Sequence, residues 1–234
     1  MLKKNLLILI PARSNSKSIK NKNLVKVFGK PLIYYTIKIA KKIKDNNKII
    51  FCSTDSIKIK KVVEKYGISV PFIRPKKFAR DLSRDIEFVN HALYKFSKIK
   101  VFFNYCLILR PTSPIRNIKN IHMAYNLIKR NKKAYSIRAV TQSKNNPFKT
   151  WLIKKGYLIP ILKSKIKEHY NAPRQMLPKT FWQTGNFEFF KVNFKKKVNS
   201  VSGKRIIPFF LSGKEILDID NYSDIEKLNK KFFN

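Results

Sequence analysis

Residues 6–24 read LLILIPARSNSKSIKNKNL: five aliphatic residues with no polar alternation, a proline, and then a polar, basic loop. An unbroken run such as Leu6–Ile10 predicts a strand buried on both faces, as in a parallel sheet whose helices cover it. Five residues are too few for a membrane span or a signal-peptide core. The loop places Arg13, Lys17, Lys20 and Lys22 among Ser14, Asn15, Ser16 and Ser18. Small side chains let backbone N–H groups approach a phosphate while the cations neutralise it. No GxxxxGK[ST] pattern is present, so this is not a Walker loop; the other reading is a solvated basic turn.

Outward from this stretch, short apolar runs alternate with amphipathic ones. Pro31 opens a predicted helix (LIYYTIKIAKKIK). Strands are predicted at Ile49–Ser53, Val70–Ile73, Tyr105–Arg110 and Ala134–Val140, and helices at Ile57–Tyr66, Ile86–Phe96 and Ile118–Arg130. This is the rhythm of an α/β domain with a mostly parallel sheet, in which ligands bind beyond the carboxyl ends of the strands. Residues 12–23, 53–55 and 110–116 occupy such positions. Between 147 and 190 the rhythm breaks into proline-punctuated strands, turns and a short helix, then resumes with a strand at Arg205–Phe210 and a helix at Asp224–Phe232. The expected division is therefore 1–140 with 201–234 as one α/β domain, and 141–200 as an insertion or dimerisation subdomain.

The chain has 234 residues, 52 of them Lys or Arg against 13 Asp or Glu, a formal charge of +39. Such a balance points first to nucleic acid or an anionic surface. The basic residues divide into 42 Lys and 10 Arg, scattered over the whole length and accompanied by abundant Asn, Ile, Phe and Tyr. A compositional bias accounts for this better than a polyanion site, so no specific nucleic-acid partner and no membrane insertion are expected. Cys52 and Cys106 lie in apolar runs without CxxC spacing and read as buried thiols of a reduced, cytoplasmic protein.

Two further stretches carry chemistry. LRPTSPIR (109–116) uses two prolines to fix the backbone after a strand and sets Arg110, Thr112, Ser113 and Arg116 at its end. LDIDNYSDI (217–225) holds Asp218 and Asp220, alternating on a strand-like stretch of an acid-poor chain. Two hard carboxylates on one face suit Mg²⁺ held jointly with substrate phosphates. The competing reading, a helix N-terminus capped by Asn221 or Ser223, explains Asp224 but not Asp218. His91, His122 and His169 read as structural.

With these motifs assembled, the chain resembles the acylneuraminate cytidylyltransferases, the CMP-nonulosonic acid synthetases. Ile10–Asn23 matches the family's opening pattern, with Ser14 and Ser18 where glycines are usual. STDS (53–56), RPKKFARD (74–81), HAL (91–93), LRPTSPIR, NPFK (146–149), RQMLPKTFWQTG (174–185) and LDID follow in the family's order. The resemblance implies a Rossmann-like nucleotidyltransferase domain with a small dimerisation subdomain, forming a homodimer. It implies that Arg13, Ser16, Lys22, Asn23 and Arg74 hold CTP, that Asp218 and Asp220 bind Mg²⁺, and that Arg110, Lys149, Arg174 and Glu188 face the sugar. Arg13, Lys22 and Asp218 would then be catalytic. The alternatives are a 3-deoxy-manno-octulosonate cytidylyltransferase and a non-catalytic polyanion-binding protein on the same fold.

Beyond the two serines, Thr184, Gly185, Asn186, Phe187 and Glu188 stand in place of a usual N-G-A-I-Y segment, and three departures introduce a charge. Asp85 replaces a serine, Arg110 a glutamine, and Glu188 the tyrosine of that segment. Arg110 and Glu188 either face a sugar other than ordinary sialic acid, such as a diacetamido sugar, or pair with each other and reshape the pocket. The serines at 14 and 18 weaken the loop if either position requires positive φ. Arg13 and Lys22 are both expected to be exposed, so that truncating either leaves stability within about 1 kcal/mol.

Overall fold

The computed structural model describes residues 2–193 and 196–233. By contacts the chain forms two compact units, residues 1–139 with 184–234, and Val140–Gln183. The elements in order are β1 (Leu2–Pro11), β2 (Lys26–Val27), β3 (Lys30–Pro31), α1 (Leu32–Lys42), β4 (Lys48–Ser53), α2 (Ile57–Lys65), α3 (Asp85–Lys98), β5 (Val101–Ile108), α4 (Ile118–Arg130), β6 (Ser136–Gln142), β7 (Trp151–Lys154), β8 (Tyr157–Pro160), β9 (Phe181–Lys191), β10 (Ile206–Phe210) and α5 (Tyr222–Phe233).

Six strands form one sheet in the order β10-β6-β9-β5-β1-β4. β1 runs parallel to β4 on one side and β5 on the other, in registers that place Leu9 beside Phe51 and Ile108. Leu6 to Ile10 are fully buried with no alternation, as expected for a strand covered on both faces. α1 turns Leu32, Ile33, Thr36, Ile37 and Ala40 inward, and α4 does the same with Ile121, Ala124, Tyr125 and Ile128. Side-chain caps begin α2 and α4: Ser56 accepts from Ile59 N, and Asn117 from Lys119 N.

Two expectations are corrected. Val70–Ile73 is not a strand. β4 is the sheet's edge, and the stretch does not add a strand to it. The Val70 amide instead donates to Glu64 Oε1 at 3.3 Å, and just past the stretch Arg74 N donates to Thr54 O at 2.7 Å, beyond the end of β4. The second correction concerns the insertion, which ends at Gln183 rather than at residue 200. β9 pairs antiparallel with β5, Glu188 opposite Ile108, and this draws residues 184–191 into the large sheet.

Within the smaller unit, β7 and β8 form an antiparallel hairpin. Lys155 and Gly156 at its tip both have positive φ, 51° and 82°, the geometry of a tight turn matched to strand twist. Trp151 packs on Tyr170, ring centroids 4.3 Å apart, and Phe148 meets His169 edge-on.

Candidate active site

At the carboxyl ends of β1 and β5 lies a cleft of about 340 Å³. It gathers Arg13, Ser16, Lys22, Asn23, Arg74 and Arg110, residues from three separate stretches of sequence. The loop after β1 is anchored at both ends. Ala12 N bonds Ser53 O at the end of β4 (2.9 Å), and Ser14 donates through its amide to Asp55 Oδ1 (2.7 Å) and through its hydroxyl to Oδ2. Asn23 Nδ2 closes the loop on the Arg13 carbonyl at 3.0 Å. Neither Ser14 nor Ser18 has positive φ, so the serines introduce no backbone strain; the left-handed residue of this loop is Asn21, φ 53°.

Three of the loop's cations meet an acid. Asp81 takes Arg13 at 3.1 Å and Lys17 at 3.3 Å. Lys22 is 9% exposed, contrary to its reading as a surface side chain. Its ammonium donates to the carbonyls of Ile219 (2.9 Å) and Asp220 (3.2 Å) and meets Asp220 Oδ1 at 3.4 Å. The cause is a second apolar cluster in which Ile19 of the basic loop packs with Val27, Leu32, Ile219 and Leu228. Ile219, between the two aspartates, thereby draws the LDID stretch against the loop.

That stretch is not a sheet strand: Leu217–Asp220 is irregular, with Ile219 N bonded to Thr112 O at 2.8 Å. Asn221 Oδ1 accepts from Asp224 N, and Asp224 Oδ2 accepts from Asp220 N and Asn221 N, a reciprocal cap for α5. Burial alone would raise the Asp224 carboxyl pKa, but these backbone bonds, with Lys227, hold it below its ordinary value. Asp224 is thus structural; Asp218 stands apart from the cap, and Asp220 joins it through its amide while its carboxylate stays outside. Asp218 accepts from Ser113 Oγ at 3.3 Å and lies beside Gly185. A Cβ at Gly185 (φ 62°) would stand 3.5 Å from Asp218 Oδ2 and 3.6 Å from Arg110 Cδ. A glycine inside β9 is therefore where the backbone approaches both groups.

Among the described residues no three His, Cys, Asp or Glu side chains gather as a metal cluster, and no cation lies within ion-pair distance of Asp218. Mg²⁺ takes one or two carboxylates and completes its shell with water and phosphate oxygens. Asp218, unneutralised beside the cleft's loop, fits that role; Asp220, 77% exposed at its side chain, shares its carboxylate with Lys22.

The two arginines of LRPTSPIR divide their work. Arg116 is buried and donates to Asn186 O (2.7 Å), Thr36 Oγ1 (3.0 Å) and Arg110 O (2.6 Å), tying β9, α1 and the end of β5 together. Burial pulls its pKa down to about 9, so it is still cationic at neutral pH. Arg110 lines the cleft and pairs with Asp85 and, at 2.9 Å, with Glu188. Of the two arrangements open from sequence, Arg110 and Glu188 adopt the paired one.

Arg74 is buried beneath the cleft, donating to Ser53 O and Phe78 O with its guanidinium 5.2 Å from the Phe88 ring. Desolvation lowers its pKa. Lys149 and Arg174 belong to the smaller unit, each in a short 3-10 turn. Arg174 lines a cavity of about 120 Å³ there, with Asn146 and Thr180. Asp55, Asp81 and Arg138 are the participants that sequence reading missed. With only 13 acids in the chain, each acid near a loop cation was a usable signal.

Residues 7–155 match the cytidylyltransferase family. A CMP-N,N'-diacetyllegionaminic acid synthase of Legionella pneumophila is 41% identical over 124 residues, 53% of this chain and 53% of that one. The chain thus spans about half the length of that relative. Post-translational flagellin modification protein B of Campylobacter coli is 30% identical over 222 residues, covering 94% and 92% of the two chains. Among solved structures, a CMP:2-keto-3-deoxy-manno-octonic acid synthetase complexed with CTP superposes with a TM-score of 0.68 over 98% of both chains. At 13% identity that likeness shows the fold alone.

Proposed function

The chain belongs to the cytidylyltransferase family, and from that premise we propose that it joins CMP, taken from CTP, to a nonulosonic acid and releases pyrophosphate. The observation that carries the reading is the convergence of Arg13, Lys22 and Arg110 on one cleft at the carboxyl ends of β1 and β5. In this reading Arg13, Ser16, Lys22 and Asn23 hold the triphosphate, and Arg74 supports the cleft from beneath. The sugar's anomeric hydroxyl attacks the α-phosphorus and the bond to pyrophosphate breaks. Catalysis then rests on positioning and on cations fixed where charge develops. Asp218 and Asp220 would hold a Mg²⁺ ion, which would supply further neutralisation of the triphosphate. Lys149 and Arg174 are assigned to the sugar's own acidic group.

The relative named for a diacetylated sugar, together with the departures at 85, 110 and 188, favours a diacetamido nonulosonic acid over N-acetylneuraminate. The test is mass spectrometry of reactions containing CTP, Mg²⁺ and a panel of nonulosonic acids, with pyrophosphate release as a second readout. A CMP-sugar is expected with a diacetamido acid; no product from any acid in the panel would refute the reading.

The smaller unit leaves Ile153 79% and Tyr157 76% exposed on its hairpin, with Leu152 and Leu158 beside them. Exposed apolar side chains on both faces of one hairpin favour an interaction site there. We assign it to a homodimer, checked by light scattering of the unmodified protein and of Ile153→Glu. The two buried free thiols support a cytoplasmic setting, and no described helix is long and apolar enough to cross a membrane. Nucleic-acid binding, where detected, should be sequence-independent and collapse at physiological salt.

A further inference from the structure

Three charged positions at which this sequence departs from its family's pattern lie far apart in the chain and close together in the structure. Asp85, the first residue of α3, chelates the Arg110 guanidinium, Oδ1 accepting from Nη1 at 3.3 Å and Oδ2 from Nη2. Arg110 Nη2 also donates to Glu188 Oε1 at 2.9 Å. The other oxygen of Glu188 accepts from Arg138 Nη2 at 2.9 Å, and Arg138 donates in turn to Ser202 Oγ at 2.7 Å. Glu188 is 3% exposed and both its oxygens are occupied by guanidinium groups. The register of β9 on β5 builds this arrangement: Glu188 stands opposite Ile108, two residues before Arg110.

The chain of four sums to zero charge, with Arg110 flanked by two carboxylates. Burial alone would lower the Arg110 pKa, but Glu188 and Asp85 outweigh it and hold the pKa above its ordinary value. Of the five guanidinium N–H donors, three go to these carboxylates. Nε–H and one Nη1–H have no acceptor among the described residues, on a side chain that lines the cleft. A guanidinium already neutralised on both arms offers little to a carboxylate or phosphate. It still offers two fixed donors to a neutral oxygen.

We infer that Asp85, Arg110, Glu188 and Arg138 act as one unit, in which Asp85, Glu188 and Arg138 position Arg110 as a neutralised donor to a carbonyl oxygen of the substrate. This rests on the function proposed above. Two carbonyl sources are available there, an acyl amide of the sugar and the cytosine ring, and the test separates them.

Five proteins are compared: unmodified, Arg110→Gln, Arg110→Lys, Asp85→Ser, and the double variant Asp85→Ser/Arg110→Gln. CTP affinity is measured without sugar, and kcat and KM for a diacetamido acid with CTP saturating. Arg110→Gln leaves Asp85 without its cation and Glu188 with Arg138 alone, one net negative charge at an anion-binding cleft, so kcat/KM should fall about 10²-fold with weaker CTP binding. Removing Asp85 as well should recover about 10-fold of that loss, because the excess charge goes with it. Arg110→Lys keeps the charge balance and loses the fork. It should bind CTP normally and raise the KM for sugar if the acceptor is the acyl amide, or weaken CTP if it is cytosine. Asp85→Ser, at a partly exposed helix start, stays folded even if Arg110→Gln does not, and raises the same KM. Multiplicative losses in the double variant, or wild-type behaviour of Arg110→Lys, would overturn the inference. Absence of turnover by the unmodified protein would instead sink the proposed function.

Discussion

Lys22→Ala and Arg13→Ala remove cations from one loop and should differ sharply in cost. The Lys22 ammonium is the donor to the Ile219 carbonyl at 2.9 Å, in a bond shielded from solvent. Losing a hydrogen bond to a charged group and stranding a buried acceptor costs about 1.5–3 kcal/mol. The ion pair with Asp220 adds under about 1 kcal/mol, because that carboxylate is largely in water. The buried stem of Lys22 contributes a further part, so the total is about 3 kcal/mol. For a chain of this size that is a fall of about 6–12 °C in Tm. Arg13, partly exposed and paired only with Asp81 and the Arg80 carbonyl, should cost about 1 kcal/mol or less. Thermal unfolding followed by circular dichroism, with and without CTP, reads both effects. The unmodified protein should gain stability with CTP by mass action, and both variants should lose most of that gain. A Tm for Lys22→Ala within 2 °C of the unmodified protein, on the order of the error of the scale used, would refute the tie between loop and LDID stretch.

Asp218→Asn and Asp220→Asn should each reduce turnover by about 10²-fold with the fold retained, as judged by circular dichroism; full activity in both would remove them from the reaction. Cys52 is fully buried and its thiol pKa is pushed up to about 12, and Cys106 is raised likewise by burial, so neither should react with iodoacetamide at pH 8 until the chain is unfolded. His91 has a pKa lowered by burial and then by Lys95 and Arg74, so the unfolded chain binds its proton more readily than the folded one. Stability from this group is complete above the ordinary histidine pKa of about 6.5 and is lost as pH falls below it. The Tm should therefore drop between pH 7 and 5, and His91→Phe should flatten part of that slope.

The sheet's centre was legible because Leu6–Ile10 and the amphipathic repeats of α1 and α4 are local patterns that nothing distant overrides. Val70–Ile73 was misread because an apolar run predicts burial but not a neighbour, and β4 closes the sheet at that edge. The end of the insertion was misplaced for the same reason: whether residues 184–191 join the large sheet depends on β5, some 80 positions away, and not on their own composition. At the site, the cations of the opening loop announced themselves by type and position. The burial of Lys22 did not, since it follows from Ile19 and Ile219 meeting across the whole length of the chain. Arg110 and Glu188 stood out as unusual in sequence; that Asp85 and Arg138 complete their pairing became visible only through the register of β9.

The position of β9 between β5 and β6 also orders the assembly of the protein on the ribosome. β4, β1 and β5 come from the first 108 residues and can zip together as they emerge, each beside a strand already made. β6 follows at once but has no place to dock, because its neighbours are β9 and β10. Until residue 191 has been synthesised, the β5 edge stays open and its backbone unpaired. The hairpin of β7 and β8, closing over a two-residue turn, can form during that wait. The nascent chain thus carries a parallel three-stranded core with one bare edge, the period in which it is most exposed to pairing with another chain.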